Sequence, residues 1–136
     1  LLSLEPIEAV RALTARLADG HDLACAMRLL GAQAVFTAAV ARGRLGLGPI
    51  APDPTLSHAA DLLHMMRGTK ASQGEVRGLD TYLVTVSDHG LNASTFAARV
   101  VASTHAGLGS AIIAGIWAAS VLLSSRPRGL TVRCAM

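Results

Sequence analysis

Val86-Ser87-Asp88-His89-Gly90-Leu91-Asn92-Ala93-Ser94-Thr95-Phe96-Ala97-Ala98-Arg99 sets an imidazole and a carboxamide in a short, glycine-containing break between two stretches of helical spacing. Upstream, Ser72-Gln73-Gly74-Glu75 is a capping box that opens a helix through Leu79, Leu83 and Val86. Downstream, Asn92 is placed to cap a helix that carries Phe96, Val100 and Val101 and ends near Thr104. A side chain in such a break is not committed to helix packing and can face a cleft, and binding groups concentrate in breaks of this kind.

The same grammar continues outward. A helix is predicted from Ser57 to Arg67, stopped by Gly68, and residues 43–54, rich in Gly and Pro, form a linker before it. Asp22 can cap an earlier helix with apolar positions Leu23, Met27, Leu30, Ala34 and Val35, ending near Arg42-Gly43. Before that, Ser3 and Glu5-Pro6 signal a first helix whose Ile7, Val10, Leu13 and Leu17 recur at three- and four-residue steps up to Asp19-Gly20. Toward the other end, Ala106–Ser125 contains no charged residue, has the length that crosses a bilayer, and is followed by Arg126 and Arg128. Its Gly107, Gly109, Ser110, Gly115 and Ser120 equally suit close helix packing. A buried helix of a bundle or subunit interface is the favoured reading.

Composition agrees with an all-α chain. In 136 residues, hydrophobic side chains make up 51% and aromatics only 3%, so the core is built from Ala, Leu, Val and Ile, and alternating strand patterns are lacking. The length suits a single domain, residues 1–136. The net charge of +3 comes from eleven Arg and Lys70, scattered and not striped, which argues against nucleic acid and leaves an anionic small molecule open. Cys25 and Cys134 form no Cys-x-x-Cys pair; no disulfide framework or metal site is expected, and free thiols fit a cytoplasmic location. The chain opens on Leu-Leu-Ser-Leu-Glu-Pro with no initiator Met, which raises the expectation of a fragment.

Five histidines are available for chemistry. His21 lies in a helix–helix turn. His58 and His64 stand six residues apart on one helix, the wrong step for a metal pair. His105 sits at a helix end, where an imidazolium complements the dipole. His89 differs by its neighbours: Asn92 offers an amide, and the next helix offers unpaired N–H groups and a positive partial charge, together able to receive a carboxylate or a polarised carbonyl oxygen. Asp88 can orient the imidazole or simply begin the turn.

The words Asp88-His89 followed by Asn92-Ala93-Ser94-Thr95 and an alanine-rich helix resemble a signature of the citrate synthase family. The likeness covers about residues 55–123, is clearest from Leu79 to Thr104, and includes Ser57-His58-Ala59-Ala60-Asp61-Leu62-Leu63-His64-Met65-Met66-Arg67-Gly68. The resemblance implies part of the large helical domain of a two-domain, homodimeric acyltransferase that condenses oxaloacetate with acetyl-CoA, or with propionyl-CoA to give methylcitrate. No bound cofactor is implied; acetyl-CoA is a co-substrate. By resemblance His89 hydrogen-bonds and polarises the oxaloacetate carbonyl, and Asn92 lines the same pocket.

The likeness fails near the end. Where the family carries Gly-Pro-x-His-Gly-Gly, this chain reads Ser125-Arg126-Pro127-Arg128-Gly129-Leu130-Thr131, and no histidine follows His105. The family's enol-stabilising histidine and catalytic aspartate, with the small domain, are missing from the 136 residues, so of the main catalytic groups His89 alone is expected. Two other readings stay open: a non-catalytic helical interaction module that keeps the dimer surface, and a small membrane-associated protein anchored by residues 106–125. Absence of a membrane partner is the expectation.

Overall fold

The computed structural model describes residues 1, 3–88 and 90–124, with side chains as far as Val121. Among the described residues six helices follow one another: α1 (Pro6–Thr14), α2 (Leu23–Arg44), α3 (His58–Arg67), α4 (Gln73–Ser87), α5 (Ala93–Ser103) and α6 (Leu108–Ser124). No strand occurs among the described residues.

Local chemistry sets most of the boundaries. Pro6 occupies the first helical turn of α1, where its missing N–H costs nothing. The carboxylate of Asp22 accepts the Cys25 N–H at 2.7 Å and caps α2. Ser57 caps α3, and Gly68 ends it in the left-handed region at φ 78°, its N–H bonded to the His64 carbonyl. Ser72 and Glu75 form the full capping box of α4, and the same Glu75 pairs with Arg67 across the α3–α4 turn. The 43–54 linker is held by side chains: Arg42 Nε donates to the Gly48 carbonyl at 2.6 Å, and the Asp53 N–H donates to Asp61 at 2.8 Å.

Two expectations are corrected. First, α1 ends at Thr14, not near Asp19-Gly20. The Thr14 hydroxyl donates back to the Val10 carbonyl at 2.8 Å, and the next amides, of Arg16 and Leu17, tighten into three-residue bonds that close the helix. Second, the buried side of α2 is Cys25, Leu29, Ala34, Ala38 and Val40, whereas Leu23, Met27 and Leu30 are 77%, 61% and 62% exposed. Because α2 is apolar nearly all round, period alone could not choose its face. The uncharged segment 106–125 is α6, described from Leu108 to Ser124, with Ser125 outside the described residues; α2, at 22 residues, is the one helix among the described residues long and apolar enough to cross a membrane, a test the core helix of a globular protein also passes.

The core is small-grained. Ala34, Ala38 and Met65 pack at the α2–α3 crossing, with Val35 and Leu62 against them. Helices α5 and α6 make the most extensive pair, and α6 also touches α1 and α2. Neither α4 nor α5 has a fully buried residue.

Candidate functional site

The site begins where α4 stops. Asp88 turns the chain to an extended conformation (φ −147°, ψ 113°), and its carboxylate accepts the Gly90 N–H at 3.0 Å. Gly90 stands at φ 88°, a region that only glycine enters without strain, so the sharp break depends on it. Of the two roles open to Asp88, the structure displays the turn-forming one. His89 lies outside the described residues. Asn92 returns the chain to helix: half-buried, it accepts the Thr95 N–H through its side-chain oxygen at 2.9 Å, while its carbonyl accepts the Phe96 N–H at 2.8 Å.

Asn92 therefore does two things with one side chain. Its oxygen caps α5, and the other end of the carboxamide, the nitrogen, is a donor and not an acceptor. The Ala93 and Ser94 amides of the first turn, which a helix start leaves without intrahelical partners, lie at the positive end of the α5 dipole. An amide NH2 beside such a terminus is a donor set, suited to carboxylate or carbonyl oxygen.

The other histidines are elsewhere. His21 and His58 are exposed, His64 is half-buried on α3, and His105 is exposed in the α5–α6 turn at φ 61°. Among the described residues no group of three or more His, Cys, Asp or Glu side chains gathers as a metal site. An open, mostly apolar groove of about 520 Å³ lies between α1, α2 and α6, lined by residues that include Ile7, Val10, Gln33, Thr37 and Ile116, and Asn92 is not on its wall.

One polar residue of consequence escaped the sequence reading. Asp19, noticed only as a helix stop, receives the Gly109 N–H at 2.7 Å and both the N–H and hydroxyl of Ser110 at 3.1 and 2.7 Å. These donors, led by the Ser110 hydroxyl, hold its carboxyl at about 2, below the ordinary 3.8. Gly107, at the start of α6, offers no capping side chain, and the residue that fills the role lies about 90 positions away in the sequence.

Comparison with known proteins gives this geometry its context. The sequence model of the citrate synthase C-terminal domain matches residues 3–124. The 2-methylcitrate synthase of Mycobacterium tuberculosis H37Rv is 40% identical over 93 residues, which is 68% of this chain and 24% of that protein. The citrate/2-methylcitrate synthase of Bacillus subtilis is 43% identical over 91 residues, 67% of this chain and 24% of the relative. Among solved structures, the citrate synthase of Pyrobaculum aerophilum superposes with a TM-score of 0.72 at 32% identity, over 88% of this chain and 35% of that one. The chain thus spans about a quarter of the length of the curated relatives it matches. With the family model matching nearly all of the described helices, the chain belongs to the citrate synthase family.

Proposed function

We propose that the chain carries the oxaloacetate-binding break of a citrate synthase-type acyltransferase. The observation that supports this most is Asn92 capping α5 shortly after the Asp88–Gly90 hydrogen bond that ends α4, in a chain whose family match spans 3–124. In this reading the His89 imidazole donates to the oxaloacetate carbonyl and polarises it, and Asn92 with the α5 terminus receives a neighbouring oxygen. The nucleophile is the enol of an acyl-CoA, acetyl or propionyl, whose new carbon–carbon bond to the carbonyl carbon gives citrate or methylcitrate after thioester hydrolysis.

Residues 1–136 by themselves form an incomplete large domain that binds without turning over. The family's methyl-deprotonating aspartate and enol-stabilising histidine have no counterpart among them, and each such group carries about 10²- to 10⁴-fold in rate. A homodimer belongs to the same reading, with a second copy against α4 and α5, whose Tyr82, Val84, Phe96 and Val100 are 61%, 68%, 59% and 48% exposed.

The test is an oxaloacetate titration of the His89→Ala and His58→Ala variants, followed by imidazole and amide NMR signals. The arginines that would pair the substrate carboxylates are absent from the break, and each missing charge-assisted bond removes about 1.5–3 kcal/mol, so a dissociation constant in the millimolar range or weaker is expected. Loss of His89 should weaken that binding and loss of His58 should leave it unchanged. Equal binding by all three proteins would remove the site assignment.

A further inference from the structure

The start of α6 is capped from outside the helix. The Gly107 carbonyl accepts the Ala111 N–H at 3.1 Å, which puts Gly107 at the capping position, where it has no side chain to offer. Asp19, in the α1–α2 connection, fills the role instead, bonding the Gly109 and Ser110 amides, while the Gly20 carbonyl accepts the Leu108 N–H at 2.8 Å. Two consecutive residues of one connection thus hold three consecutive amides of α6.

The carboxylate occupies the space that a side chain at Gly107 would take: a Cβ there would lie 2.1 Å from the Asp19 Oδ1. Eight residues further, about 12 Å along a rigid helix, Gly115 meets the first turn of α5, where a Cβ would stand 3.3 Å from the Ser94 carbonyl oxygen. Ser94 is two residues past Asn92. The α5–α6 pair is the most extensive helix contact.

We propose that Asp19 is a positioning residue for the Asn92 site: by fixing the start of α6 it fixes, through the Gly115–Ser94 contact, the first turn of α5 and the direction of the Asn92 amide. The choice of Asn92 as the beneficiary rests on the oxaloacetate reading above; the mechanical coupling does not. The steric exclusion between the two positions also means that one carboxylate, from either residue 19 or residue 107, serves the helix start, and two do not fit.

The experiment compares the full chain with Asp19→Ala, Asp19→Asn, Gly107→Asp and the double variant Asp19→Ala/Gly107→Asp, reading amide hydrogen exchange at Thr95 and the Asn92 side-chain NH2 resonances. Removing the cap should raise Thr95 exchange about tenfold, the size expected for a lost helix cap, and shift the Asn92 signals. The double variant should return both toward the parent. Gly107→Asp alone, in which one of the two carboxylates swings out while the other keeps the cap, should disturb them less than Asp19→Ala. If Asp19→Ala does not fold, Asp19→Asn, which keeps the shape and one acceptor, carries the same comparison. Changes confined to Gly109 and Ser110, with Asn92 and Thr95 as in the parent, would overturn the proposal, as would a double variant that repairs α6 without repairing Thr95. Adding oxaloacetate separates the two claims: no response at Asn92 in the parent sinks the binding reading, whereas the ligand-free comparison alone decides the coupling.

Discussion

At the scale of single residues, most of the precision in this chain comes from side chains that serve backbone amides. Asp19 is the clearest case. Its carboxyl titrates near 2 in the folded chain against an ordinary 3.8, so the anion is favoured by folding. The contribution is complete above about pH 4 and disappears as pH falls through 2. Gly109 and Ser110 amides should therefore lose exchange protection across that window, and Asp19→Asn should flatten the dependence; protection independent of pH in the parent would contradict the assignment. Gly68 shows the opposite economy, a residue chosen for having no side chain. At φ 78° with the Ile50 Cδ1 3.2 Å from where a Cβ would stand, Gly68→Ala should cost about 1–2 kcal/mol in urea unfolding. A cost near zero would mean that the left-handed cap is not needed.

At the scale of elements, the caps were legible and the faces were not. Ser72-Gln73-Gly74-Glu75, Asp22 and Asn92 each announce a helix start by a side chain that reaches a first-turn amide, and each does so in the structure. The break at 88–92 was readable for the same reason, since Gly90 and Asn92 act locally. Asp19 was not, because its partners lie 90 and 91 positions away and nothing in its own neighbourhood points to them. The α2 face was lost for a different reason: with Leu23, Met27, Leu29 and Leu30 all apolar, the choice between them is made by α1 and α3, not by α2 itself. A direct check follows. Leu29, fully buried, should cost about 2–5 kcal/mol when cut to Ala, whereas Leu30→Gln should stay within about 0.5 kcal/mol. Equal losses would show that the exposed side of α2 is covered in solution.

At the scale of the whole molecule, the six helices leave a large apolar surface on view: Leu23, Met27 and Leu30 on α2, Tyr82 and Val84 on α4, Phe96 on α5 and Trp117 on α6. So many large apolar side chains on view are uncommon in a folded chain that stands alone, and the chain corresponds to 35% of the Pyrobaculum aerophilum citrate synthase it superposes on. Residues 1–136 should therefore self-associate at micromolar concentration, and Phe96→Glu should reduce this; a sharp monomer in sedimentation velocity would count against the second-copy reading. The central claim is narrower, that the break between α4 and α5 is where a dicarboxylate binds. The most direct measurement is a two-dimensional amide spectrum of the chain titrated with oxaloacetate. The account predicts shifts at the Asn92 side chain and at the Ala93, Ser94 and Thr95 amides, with Gln33 and Thr37 in the α1–α2–α6 groove unmoved. Shifts in that groove with the 92–95 signals unchanged would contradict it.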